Sequence, residues 1–159
     1  MYPETASEVI DEKIKYKKEV ISAMKAFKKE KPYRGTLDER EAKFQRLNEK
    51  LNEIYHKNTK LIFENIDGSR SDLSRYNIVL DEITLSGKLS IVTYLHEYAH
   101  SIFGISERKA VSWSLNSFKR IYPILFENLS QEQHMVRVNR NVENREVHVS
   151  GHIRELENP

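Results

Sequence analysis

The segment His96-Glu97-Tyr98-Ala99-His100 constrains this chain more than any other feature, because it demands one particular local structure. Residues four apart on an α-helix stand one turn above each other on the same face, so both imidazoles reach one ion at roughly 2.0 to 2.1 Å when the segment is helical. Glu97, one residue on from the first histidine, is directed to the side of that ion, where its carboxylate can hold a water instead of filling a coordination position. Such a pattern arises by chance in roughly one chain in a few hundred of this length, so its setting has to decide. Here it falls within an apolar periodicity of Ile91, Leu95, Ala99 and Ile102, directly after an extended segment and a tight turn.

The absence of cysteine removes disulfides and thiolate chemistry and leaves His, Asp and Glu to bind a metal. With these donors the expected cofactor is zinc, one per chain, held by His96 and His100. Zinc brings the pKa of a bound water toward neutrality, and Glu97 then serves as catalytic acid/base, taking the proton as the water attacks a carbonyl and delivering it to the departing amine. A bracing zinc is normally closed by four protein ligands, so a carboxylate beside the pair favours catalysis. Glu107 is the expected third ligand: a glycine turn at Gly104 reverses the chain, and Ser106 starts a helix whose first residue faces back toward the histidines. His134, His148 and His152 are weaker candidates, since no spacing rule places them.

A length of 159 residues suits one domain, divided by pattern into three stretches. Residues 1–58 read as an N-terminal amphipathic helical hairpin. Its first helix runs from about Thr5 to Lys29, with Thr5 and Glu8 as a capping box and a stripe of Val9, Ile10, Ile14, Val20, Ile21, Met24 and Phe27; its second is opened by Thr36 and Glu39 and striped by Phe44, Leu47, Leu51, Ile54 and Tyr55. The first stripe exceeds what a solvent-facing helix needs, so it packs on the domain itself or on a second copy. Residues 59–136 read as a catalytic core. Lys60 to Ile66, Tyr76 to Leu80 and Ile83 to Leu85 give a two- or three-stranded sheet, with turn chemistry at Asp67-Gly68-Ser69 and Ser86-Gly87. The helix through His96 and His100 follows, then a helix from Glu107 to about Glu127 with Pro123 as a kink or stop, and a short last helix opened by Ser130 and Gln133. Trp113 and Phe118 fit the buried stripe of the Glu107 helix. Residues 137–159 form a polar tail expected either to pack loosely on the same domain or to be disordered. The fold class expected is α+β.

On the segment Ile91 to His100, with the strand-rich stretch Tyr76 to Leu85 before it, the chain resembles the zincin metallopeptidases, over roughly Thr59 to Pro123. Glu107-Arg108-Lys109-Ala110 is similar to the gluzincin arrangement of a glutamate on a following helix with an alanine three residues later, which implies Glu107 as ligand. The compact size is most like a minimal single-domain gluzincin, and the separation of His100 from Glu107 is shorter than in most of that branch. The resemblance implies a zincin-like fold, peptide-bond hydrolysis, and an extended peptide added to an edge strand, served here by Ile78-Val79-Leu80 or Ile83-Thr84-Leu85. It also makes Tyr94, Tyr98, Tyr122 and His134 conceivable oxyanion partners, although an aromatic on a packed helix is usually core.

A net charge of +2, with acids interspersed among the lysines, gives no reason to expect nucleic acid, and Lys28, Lys29 and Lys31 read as a solvated helix end. No apolar run approaches membrane-spanning length and Met1-Tyr2-Pro3-Glu4-Thr5 lacks the order of a secretory signal, so a cytoplasmic protein acting on a peptide or protein substrate is expected. The alternative is a catalytically silent zincin-fold regulator or protein-binding module with a structural metal, engaging a partner through the N-terminal helices. A metal-free helical interaction protein is the third reading.

Overall fold

The computed structural model of the chain describes residues 4–5, 10–11, 13–64, 74–131, 135–138 and 147–149. Among these the fold is mixed α+β, with five helices and two small sheets.

Helix α1 spans Lys18–Lys29, later than the expected start at Thr5. Lys17 occupies the N-cap, and its side chain makes no capping hydrogen bond to the helix. Ile10 and Ile14 have helical spacing, but they pack half-buried on the core from a non-helical strap. The backbone N–H of Asp11 anchors that strap by donating to Ser112 Oγ across 2.9 Å. Thr5 belongs to the two-residue strand β1, Glu4–Thr5, and Glu8 lies outside the described residues. Helix α1 buries Val20, Ala23, Met24 and Phe27, so this chain covers its own stripe.

Helix α2, Leu37–Tyr55, begins at the expected capping box: Glu39 N–H donates to Thr36 Oγ1, and Thr36 N–H donates to Glu39 Oε1, each at 3.2 Å. The two helices run antiparallel. Lys17 Nζ reaches the Ile54 carbonyl at one end, Arg46 Nε donates to Glu30 at the other, and Phe27 and Phe44 meet edge-on at 5.0 Å between them.

Strands β2 (Lys60–Glu64), β3 (Arg75–Asn77) and β4 (Glu82–Ser86) form a sheet in the order β2-β4-β3. β2 pairs parallel and β3 antiparallel with β4, and Ile83 stands opposite both Leu61 and Tyr76. Ile83-Thr84-Leu85 is therefore central and cannot accept an added strand, because both of its ladder edges are occupied. Ile78-Val79-Leu80 is not extended either. The Asn77 side chain accepts from the N–H groups of Val79 and Leu80, both at 3.0 Å, and Asp81 takes φ 51°, which closes a turn between β3 and β4. The edges are β2 and β3. Asn65, Ile66 and the expected turn Asp67-Gly68-Ser69 lie outside the described residues.

Gly87, at φ 69°, leads into α3, Ile91–Phe103, which Ser90 caps by accepting from Thr93 N–H. α3 packs against β3, β4 and α4, the last spanning Glu107–Ile121. Pro123 acts as a stop: α4 ends at Ile121, and the proline takes the first position of α5, Pro123–Gln131, where a missing N–H costs nothing. Ser130 thus lies near the end of a helix rather than opening one, and Gln133 is outside the described residues. In place of a wholly loose tail, β5 (Met135–Val138) pairs antiparallel with β6 (Val147–Val149) and with β1, and the alternation Met135-Val136-Arg137-Val138 suits a strand.

One hydrophobic cluster runs from Val20 to Phe126, drawing on α1–α5 and the β2-β4-β3 sheet, with Trp113, Tyr94, Tyr98 and Phe44 among its fully buried side chains. Among the described residues no helix is long and apolar enough to cross a membrane.

Candidate metal centre

Helix α3 turns Tyr94 and Tyr98 into the core and leaves His96 and His100 together on another face, their rings 4.9 Å apart and nearly perpendicular. Gly104 ends the helix at φ 70°, ψ −137°, a conformation open essentially to glycine alone. Two residues later Ser106 caps α4 by accepting from Lys109 N–H, which puts Glu107 in the first turn and facing back. Its carboxylate spans both histidines: Glu107 Oε1 lies 2.9 Å from His100 Nε2, and Oε2 lies 3.1 Å from His96 Nε2.

The surroundings of His100 fix the charge of this cluster. Its Nδ1 donates to the Gly104 carbonyl across 2.6 Å, so the proton of a neutral ring is already committed and Nε2 would face Glu107 with a bare lone pair. Two acceptors around one imidazole require a positive centre between Nε2 and the carboxylate, either a second proton or a metal. Accordingly, although burial works against the imidazolium, the Glu107 and Gly104 hydrogen bonds lift His100 above its ordinary 6.5. Burial also pushes Glu107 up, yet the contacts with His100 and His96 prevail and hold it at about 2.

Among the described residues the group that could hold a metal is His96, Glu97 and His100, whose ligand atoms all lie within 4.8 Å of one another, and Glu107 stands against both imidazoles. Glu107 Oε2 is buried and, although 3.1 Å from His96 Nε2, makes no hydrogen bond of acceptable geometry, so one carboxylate oxygen has acceptor capacity left for a cation. Tetrahedral ligands at about 2.05 Å from zinc stand about 3.3 Å from each other, within a few tenths of an ångström of the spacings here.

Glu97 is only 7% exposed. One of its oxygens lies within 4.8 Å of ligand atoms on both histidines, yet among the described residues it makes no hydrogen bond or ion pair to either ring. Burial pushes its carboxyl above the ordinary 4.5; His96 and His100 oppose that shift and the Glu107 charge reinforces it. A carboxyl that is reluctant to ionise beside three convergent donors suits proton transfer better than ligation.

Behind the site, polar pairs lock α3 to α2. The Tyr94 hydroxyl donates to Asn48 Oδ1 at 2.8 Å and the Tyr98 hydroxyl to Asn52 Oδ1 at 2.9 Å, while both asparagine amides donate to the Thr59 carbonyl. Tyr94 and Tyr98 are therefore core residues with their hydroxyls engaged away from the histidines. Tyr122 is 9% exposed, stacked on Phe118 at the far end of α4 beneath the Lys28 ammonium. Trp113 is fully buried, with its indole N–H on the Tyr55 hydroxyl. His134 and His152 lie outside the described residues, and His148 lies in β6.

The Gly104 carbonyl, Asn48 and Asn52 were not expected from sequence. The positive φ that a glycine at the helix end announces was the one available sign for the first; the asparagines carry no local signature. No family model, curated protein or solved structure matches this chain.

Proposed function

We propose that this chain is a zinc-dependent hydrolase, a metallopeptidase of the minimal gluzincin kind, with His96, His100 and Glu107 as ligands and Glu97 as acid/base. The observation that carries the reading is the Glu107 carboxylate spanning both imidazoles while a second, separately buried carboxyl stands beside them. Held by these residues, a zinc ion would supply Lewis acidity toward an amide carbonyl and a neighbouring water. Glu97 accepts a proton from that water as its oxygen adds to the carbonyl carbon. It returns the proton to the amine nitrogen as the C–N bond breaks. The Gly104 carbonyl engages His100 Nδ1, which leaves Nε2 on the Glu107 side, where it would serve as the ligand atom. A peptide would extend the sheet at β3, the antiparallel edge strand that packs on α3; this assignment rests on the zincin resemblance.

One observation favours the regulator reading: Glu97 comes close enough to both histidines to serve as a fourth ligand, and four protein ligands make a closed, structural site. Glu97→Gln separates the two. With the hydrolase, zinc analysis of the purified variant gives one ion per chain while cleavage of a peptide mixture drops at least about a hundredfold. With the closed site, zinc affinity itself falls. Full cleavage by the variant, or no zinc on the unmodified chain, sinks the hydrolase.

A further inference from the structure

On the far side of α4 a groove of about 590 Å³ is lined by Lys15, Tyr16, Asn116, Lys119, Arg120 and Pro123. Its size is within the range of small-molecule sites. Nine residues separate Glu107 from Asn116, two and a half helical turns, so Asn116 points away from the metal centre and lies about 13 Å further along the axis. The groove is not part of the site already described.

Its charge departs from the rest of the chain. The sequence carries 26 basic and 24 acidic residues, largely interspersed, yet three cations converge here with no carboxylate among the described lining residues. Lys15, Lys119 and Arg120 are exposed, whereas Tyr16 and Asn116 are half-buried. Among the described residues the side chains of Tyr16 and Asn116 make no hydrogen bond and those of Lys15 and Arg120 form no ion pair. Lys119 Nζ sits 5.5 Å from the Phe126 ring centre, a contact that leaves its N–H donors available. Five side chains thus offer donors around one groove, and the Tyr16 ring and Pro123 supply apolar walls.

We propose that this groove binds a phosphate-bearing small molecule. An arginine fork accepts two phosphate oxygens in parallel, lysines add point charges, and the tyrosine hydroxyl and asparagine amide complete the donor set. The apolar walls suit an organic moiety attached to the phosphate.

The test is calorimetric titration of the zinc-loaded full chain with inorganic pyrophosphate and, separately, with ATP. Saturable one-to-one binding is expected for both, tighter for ATP, and weakened at least tenfold by Lys119→Gln with Arg120→Gln. The charge-matched pair Lys25→Gln with Lys50→Gln should bind both probes as the unmodified chain does. Binding that survives the first pair or falls equally with the second pair overturns the proposal. So does tenfold tighter binding of a short single-stranded oligonucleotide, which would make the groove a nucleic-acid surface.

Discussion

His100 donates to the carbonyl of Gly104, four residues on, across 2.6 Å, and that contact exists because Gly104 leaves the helix at φ 70°, ψ −137°. A Cβ at position 104 would meet nothing within 4 Å, so Gly104→Ala tests backbone conformation without a clash. The variant should lose about 1–3 kcal/mol of stability from strain and about 10–100-fold in zinc affinity as the imidazole loses its orientation. Urea denaturation and chelator competition measure the two effects. An unchanged zinc affinity would remove the carbonyl from the design of the site.

Glu107→Gln keeps the shape but removes the charge that faces two histidines. Zinc affinity is expected to fall by more than tenfold. In the apo protein the destabilisation should be largest below pH 6.5, where His100 is charged, and should shrink as pH rises through the raised folded value of His100. Competition with a chromophoric chelator reads the first effect, and thermal melting in excess chelator reads the second. Retention of full zinc affinity would exclude Glu107 as a ligand.

The metal-free protein should have an unusual pH profile. His100 is raised in the folded state, so its contribution is complete below the unfolded value of 6.5 and is lost as pH rises through the folded value. Glu107 is depressed to about 2, so its contribution is complete above the unfolded 4.5 and is lost as pH falls toward 2. The buried Glu97 carboxyl is raised, so its contribution is complete below 4.5 and is lost as pH rises through its folded value. Melting temperature in chelator should peak at mildly acidic pH and decline toward pH 8. In zinc the trend reverses, because metal displaces protons from the same nitrogens. A chelated protein that gains stability steadily up to pH 8 would contradict the His100–Glu107 contact.

Tyr94→Phe removes a hydroxyl from a fully buried ring and leaves Asn48 Oδ1 without its donor. The expected loss is about 1–3 kcal/mol in chemical denaturation, with zinc affinity nearly unchanged. A large loss of zinc affinity would instead place this pair in direct control of the metal site.

The meeting of His96, His100 and Glu107 was legible because its signals are local. The i, i+4 histidines, the glycine at the helix end, the Ser106 cap and Glu107 all fall between residues 96 and 107, so a 3.6-residue repeat and one turn place them. The capping box at Thr36 and Glu39 was legible for the same reason. What failed was set by distant partners. Ile10 and Ile14 imitate a helix stripe, but Ser112 anchors their segment in a strap. Ile78-Val79-Leu80 has strand composition, yet the Asn77 side chain and the left-handed Asp81 impose a turn. Strand order was equally hidden: nothing in Ile83-Thr84-Leu85 says that Leu61 will pair beside it in parallel.

The same contrast bears on how the chain reaches its fold. His96 and Glu107 lie eleven positions apart, whereas the strap from Asp11 to Ser112 closes over 101. The entropy of closing the longer span exceeds that of the shorter by about 2 kcal/mol. The loop that brings Glu107 to His96 therefore closes at lower entropic cost than the strap, and on the proposed zinc site, zinc added during refolding should speed the appearance of native helix while leaving the docking of the strap slow.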